Sequence, residues 1–290
     1  MTARTLRAYH QAHRDDIGDL TTRRPVPGPG IDQVDPFLFL NHHGPQHYPA
    51  NNSGLPFGPH PHRGFETVTF ILEGDLAHLD TGGHESIIHA GGVQWMTAGS
   101  GLVHAEISPD AFKRTGGPLE ILQLWVNLPS KLKMVKPRYV GLQRDQIPTI
   151  TTADGKVRVE LISGTFEGHV GPIESLTGVE MSVVRMDPGA SLNIPAPAAK
   201  NVFLYVVRGE VSVAGKPVKG FHLAQLNADG DTVSLSASSD CVLLFGLADP
   251  IGEPVVSHGP FVMNTREEIN QAIRDYQAGL FGNSLDHLGT

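Results

Sequence analysis

A train of short apolar runs, broken at regular intervals by glycine turns, limits this chain to few folds. Thr67 to Glu73 stops at Gly74-Asp75, Leu76 to Asp80 at Thr81-Gly82-Gly83, and Glu85 to His89 at Ala90-Gly91-Gly92. Val93 to Thr97 stops at Ala98-Gly99-Ser100-Gly101, Leu102 to Ile107 follows, and Ile121 to Leu128 closes the segment at Pro129. Strands this short, joined by tight turns, are the units of an all-β barrel or sandwich. The 33 glycines and 22 prolines fall singly between apolar runs, and no stretch has the composition of a disordered tail.

At 290 residues the chain exceeds what one hydrophobic core usually serves, so two domains are expected. An internal repeat agrees. A shift of 135 positions places Gly54 on Gly189, Val68 on Phe203, Phe70 on Tyr205, Gly74 on Gly209 and Asp75 on Glu210. Each copy reads as a glycine, a spacer, an apolar strand and a Gly-acid turn, which points to a duplicated barrel. The same shift puts His60 on Pro195 and His62 on Pro197, so any metal chemistry belongs to the first copy. The expected division is an N-terminal metal-binding barrel over 1–135 and a degenerate barrel with a terminal helix over 136–290. That helix is signalled by the capping box Thr265-Arg266-Glu267-Glu268. Ile269, Ala272, Ile273, Tyr276 and Leu280 then recur at helical spacing, as a stripe that packs on a barrel.

Charge and composition narrow the function. A net charge of −8 with no basic stripe argues against direct nucleic-acid binding. The small cluster Lys131, Lys133, Lys136 and Arg138 reads as a solvated interdomain loop. Met1 to Asp16 is polar with no apolar h-region, so no secretory signal is expected, and no run is long enough to cross a bilayer. The lone Cys241, beside Val242-Leu243-Leu244-Phe245, reads as a small buried hydrophobe. A cytoplasmic setting is expected, and a nuclear one is also compatible.

The chemistry concentrates in two short motifs. Residues i and i+2 of a strand share a face, so His60-Pro61-His62 offers two imidazoles together, and His104-Ala105-Glu106 an imidazole and a carboxylate. Pro61 cannot donate to a ladder, which suits a strand start or an edge. On neighbouring strands of a small barrel the two pairs converge on one interior point. Three neutral nitrogens and a carboxylate suit one divalent ion such as Fe(II), Mn, Ni, Cu or Zn. With 15 histidines in the chain a lone H-x-H carries little weight; the second pair and the barrel pattern lift it. Glu66, which follows His62 across Arg63-Gly64-Phe65, competes for the carboxylate position or orients a ligand imidazole. His78, His84 and His89 read as rim or surface, and His42, His43 and His47 as loop. Gln94 and Trp95 are candidates for the pocket lining, with Trp95 the more natural core residue.

The longer strings carry a specific resemblance. Gly54, five residues, His60-Pro61-His62, three residues and Glu66 resemble the first motif of the cupins, and Gly101-Leu102-Val103-His104 the second. Pro59 to Thr67, Gln94-Trp95-Met96-Thr97-Ala98-Gly99, Gln123 to Leu128 and Gly259-Pro260-Phe261-Val262-Met263-Asn264 resemble the pirin family, over roughly Arg24 to Gly282. The resemblance implies two cupin β-barrels packed face to face with one iron in the first. The family's ligands fall on His60, His62, His104 and Glu106. It also implies either quercetin 2,3-dioxygenase activity or a non-enzymatic, metal-dependent and redox-sensing co-regulator role. In the latter the protein binds a transcription factor or a metabolic enzyme. One departure is Glu120-Ile121, where the family pattern has His-Gly just before Leu122; it bears on substrate or partner if it faces the pocket mouth.

The expected function is a metal-dependent dioxygenase that cleaves a flavonol such as quercetin with O2. The metal acts as Lewis acid and template, and Glu106, or Glu66 if the two are reversed, takes the hydroxyl proton as general base. The co-regulator is the alternative, and a zinc-dependent isomerase or hydrolase a weaker third.

Overall fold

The computed structural model describes residues 2–282 and Leu285. All six strands expected in the first copy form, Glu85–His89 with the bounds read from the sequence. Two of them are longer than read, Phe65–Glu73 and Gly117–Asn127; Asp75–Asp80, Val93–Thr97 and Leu102–Ile107 match the pattern closely. Among the described residues no helix is long and apolar enough to cross a membrane.

Two compact units emerge, and neither is one continuous stretch. The first holds Arg14–Arg23, Phe39–Arg144 and the chain from Ile251 onward; the second holds the chain up to His13, Arg24–Leu38 and Asp145–Pro250. This departs from the expected division at 135/136 at both ends. The strand Leu6–Gln11 pairs antiparallel with His222–Leu226, so the N-terminus completes the second barrel. The C-terminal helix Arg266–Gln277 instead shares a core with Val103, Phe261 and Met263 of the first. Local sequence pattern specifies a strand or a helix, whereas the sheet edge that receives it is a long-range matter.

The first unit sets a four-stranded sheet, in the order Phe57–His62, Leu102–Ile107, Asp75–Asp80 and Glu85–His89, against a larger one. From one edge that seven-stranded sheet runs Arg138–Leu142, Val93–Thr97, Phe65–Glu73, Gly117–Asn127 and Phe37–Tyr48, followed by Thr22–Val26 and His13–Arg14. Phe57–His62 is an edge strand, which is where Pro61 is tolerated. One end of the interior is an apolar cluster including Leu55, Ile71, Leu76, Phe112 and Ile121. Burying each such side chain stabilises the fold by roughly 1.5–3 kcal/mol.

The second unit repeats the plan. A seven-stranded sheet centred on Asn201–Arg208, Cys241–Ala248 and Glu180–Met186 accompanies a four-stranded one that begins with Ser191–Pro195 and Thr232–Ala237. The duplication read from the sequence extends to backbone conformation. Gly74 and Gly209, which end the equivalent central strands, have φ of +86° and +79°. A Cβ would lie 2.8 Å from the Pro118 carbonyl oxygen at the first and 2.1 Å from the Asp240 carbonyl oxygen at the second. Only glycine meets both demands without strain.

The C-terminal helix begins as expected. The Thr265 hydroxyl accepts from the Glu268 backbone N–H at 3.2 Å, and the Glu268 carboxylate accepts from the Thr265 N–H at 2.9 Å. Ile269 and Ala272 are buried, but Tyr276 is 41% exposed, and Leu280 lies beyond the helix end and is 68% exposed. The apolar stripe is therefore shorter than its spacing suggested.

Candidate metal centre

The antiparallel ladder between Phe57–His62 and Leu102–Ile107 sets His104 opposite His60 and Leu102 opposite His62. Strand alternation turns His60, His62 and His104 to one face, toward the barrel interior. Their donor nitrogens lie within 4.8 Å of one another, and the ring centroids are 4.4–4.9 Å apart. His62 and His104 are buried; His60 is half-buried and gives the cluster its exposed side.

Ring orientation favours a cation. His60 Nδ1 lies 2.7 Å from the Gly58 carbonyl oxygen and His62 Nδ1 lies 3.3 Å from that of Pro260. Each Nδ1–H therefore donates outward, which leaves the Nε2 lone pair facing the cluster. His60 Nε2 and His104 Nε2 are 3.0 Å apart. Two lone pairs at that distance repel unless a proton or a metal ion lies between them. Burial keeps the rings neutral: desolvation lowers the pKa of His60, takes His62 down to about 3 and holds His104 well below the usual histidine value. Neutral imidazoles with converging lone pairs are the state a borderline divalent ion requires. His104 Nδ1 is buried and without a partner among the described residues.

Glu106 follows His104 on the same face but lies outside the group of three. Its Oε1 accepts from Thr69 Oγ1 at 2.9 Å, and its Oε2 accepts from Gln123 Nε2. Desolvation pushes its pKa up to about 7, partly offset by these two hydrogen bonds. A carboxyl group poised there exchanges a proton readily near neutral pH. Thr69 and Gln123 were not singled out from the sequence. Both face inward because they share strand parity with residues that touch the cluster, and parity is visible only once the strand bounds are known.

Glu66 is turned the other way. Phe65 packs edge-on against His62 at 5.1 Å and Thr69 meets Glu106, so the odd positions of Phe65–Glu73 face the site and Glu66 faces away. Its ladder partner is Thr97, whose hydroxyl donates to Glu66 Oε1 at 2.6 Å. Gly64 breaks the run between His62 and Glu66, which restarts the alternation in a new strand. The role considered for Glu66 beside the imidazoles is thereby corrected.

Other histidines also differ from their sequence reading. His78 is 1% exposed, stands opposite Glu106 in the ladder and lies 5.5 Å from the His104 ring. It stacks on Tyr139 with centroids 4.0 Å apart and hydrogen-bonds Asp80 Oδ2 at 3.0 Å. The signal was present as His78-Leu79-Asp80, the same i, i+2 spacing as the other two motifs. His42 and His43 are buried in the strand Phe37–Tyr48. His42 Nε2 meets Glu120 Oε1 at 3.0 Å, and Ile121 packs in the apolar cluster with Ile71 and Phe112. The Glu120-Ile121 departure is thus buried, Glu120 against His42 and Ile121 in the apolar cluster. Gln94 shares the inward parity of its ladder partner Thr69, whereas Trp95 is core on the opposite face. Lys133, read as part of a solvated loop, is 1% exposed, and its Nζ donates to Asn127 Oδ1, Gly64 O and Val262 O at 2.7–3.1 Å.

Comparison with known proteins agrees with this construction. A family model described as Pirin matches residues 19–126, and one described as the Pirin C-terminal cupin domain matches 181–282. The chain is 37% identical to a putative quercetin 2,3-dioxygenase of Pseudomonas aeruginosa, over 96% of this chain and 98% of that protein. It is 38% identical to the Pirin of Homo sapiens, over 94% of this chain and 91% of that one. A crystal structure of quercetin 2,3-dioxygenase from Acinetobacter baumannii superposes with a TM-score of 0.91 at 32% identity, covering 97% and 99% of the two chains.

Proposed function

This chain belongs to the pirin family of the cupin superfamily, and on that footing we propose that it is a metal-dependent dioxygenase that cleaves a flavonol such as quercetin with O2. The observation that carries the reading is the convergence of three neutral imidazole nitrogens in a barrel interior, with a near-neutral carboxyl next on the same strand face. His60, His62 and His104 would hold the ion, most suitably Fe(II), with Glu106 as fourth ligand. The ion would supply Lewis acidity and a template for the substrate's oxygen atoms.

The chain's own residues have separate tasks. Glu106 takes the proton of the flavonol 3-hydroxyl at a carboxylate oxygen, leaving an electron-rich enolate for dioxygen to attack. Thr69 and Gln123 aim that carboxylate and help it bear charge. Carbonyls of Gly58 and Pro260 hold two imidazoles in one tautomer. Phe65, Trp125 and Tyr139 exclude water around the cluster, Trp125 lying 5.5 Å from His62.

The test is to purify the protein without added metal, measure its metal content and follow loss of flavonol absorbance under air. Near one redox metal per chain is expected, with turnover that chelation abolishes, metal restores and His62→Ala eliminates. Turnover unchanged in metal-free His62→Ala protein overturns the proposal. One tightly held ion without turnover transfers the site to a non-enzymatic, partner-binding role.

A further inference from the structure

The second barrel has a cavity where the first has its imidazoles. It measures about 440 Å³, inside the range of roughly 300–1,000 Å³ for small-molecule sites. Its walls are Val159, Leu161, Phe166, Ile194, Phe245 and Leu247, all part of that unit's apolar core. Pro195 and Pro197, the repeat counterparts of His60 and His62, also line it. The duplicated barrel has thus kept the interior space and lost the ligand nitrogens.

Two polar side chains of the lining are buried: Ser163, whose hydroxyl donates to Val179 O at 2.8 Å, and Ser182; Thr165, Glu167 and Asn193 also line the cavity and are exposed. Ser182 is 6% exposed and sits opposite Leu161 in one ladder and Phe245 in the other, so its hydroxyl shares their face. Among the described residues the Ser182 hydroxyl has no hydrogen-bond partner. The hydroxyl opens onto the cavity, where a ligand oxygen can take the place of water as its partner. Lys200 Nζ and Glu180 Oε1 of the lining pair at 2.8 Å, so these two charges cancel, and the exposed Glu167 carboxylate disfavours an anionic ligand.

We propose that this cavity is a second ligand site, distinct from the metal centre, for a neutral and largely apolar small molecule whose single hydroxyl or carbonyl oxygen bonds to Ser182. The site is independent of the flavonol reading.

The test titrates the metal-loaded full-length protein with 2-naphthol, using calorimetry and the probe's own fluorescence. One saturable site per chain is expected, retained after chelation and in His62→Ala. Ser182→Ala should weaken it about 2- to 12-fold, the range for one net hydrogen bond. Naphthalene should bind more weakly by a similar factor, and 2-naphthoate more weakly still. Leu161→Trp, filling the cavity, should abolish binding; if that variant fails to fold, Ser182→Ala and the naphthalene comparison still decide. Absence of saturation, loss of binding in His62→Ala, or equal affinities for naphthalene and 2-naphthol overturn the proposal.

Discussion

His60 and His104 face each other across an antiparallel ladder with their Nε2 atoms 3.0 Å apart. Metal binding should therefore stabilise the native protein and depend on both rings. His104→Ala is expected to weaken binding of Mn(II) or Fe(II) at least 100-fold and to abolish the metal-induced rise in Tm. Anaerobic calorimetry and thermal melts with and without the ion measure both, since an ion that binds only the native state raises apparent stability by mass action.

The two candidate carboxylates should separate cleanly. Glu66→Gln, on the far side of its strand, should leave metal affinity within about threefold, although the Thr97 hydrogen bond changes partner. Glu106→Gln should lower affinity and flavonol turnover 10- to 1,000-fold. Equal losses in the two variants would contradict the strand parity described above.

Thr69 and Gln123 act through Glu106, and outer partners of a metal site typically carry 10- to 100-fold in affinity or activity. Thr69→Val and Gln123→Leu should each lower turnover in that range while metal content stays near one per chain. Because each removes a hydrogen bond to the carboxylate, each should also shift the acidic limb of the pH–rate profile upward. Thr69→Ser should restore most of the loss.

Lys133 should carry a measurable pH-dependent cost. Burial lowers its pKa from 10.5 to about 8. Between those values the unfolded chain binds more protons than the native one, so stability rises with pH across that window. Below about pH 8 both states are protonated and the full cost of the buried cation persists. Lys133→Met removes the titration but leaves Gly64 O, Val262 O and Asn127 Oδ1 without their donor, so it should destabilise by about 2–4 kcal/mol near neutral pH. Urea midpoints of both proteins at pH 7.5 and 10 should show the deficit of the variant growing with pH.

Cys241 is 3% exposed, and burial pushes its thiol up to about 11. A maleimide at pH 8 should leave the native protein unlabelled and label one site after denaturation. Rapid native labelling would mean that the strand Cys241–Ala248 opens far more readily than its central place in the sheet implies.

Features that depend on local periodicity are legible in the chain alone. Glycine spacing marked the strands, the capping box marked the terminal helix, and the i, i+2 rule paired His60 with His62 and His104 with Glu106. The repeat was legible because Gly74 and Gly209 serve the same backbone need. The remaining features depend on which distant surfaces meet. Glu66 lost its place beside the histidines because the turn at Gly64 restarts strand alternation. His78 became a neighbour of His104 because Asp75–Asp80 pairs with Leu102–Ile107. Lys133 is buried because carbonyls from Gly64 and Val262, far apart in the chain, close around its ammonium. Local pattern records the conformational preference and facing of each segment, whereas neighbours across the fold are selected by burial and hydrogen-bond satisfaction summed over the whole chain.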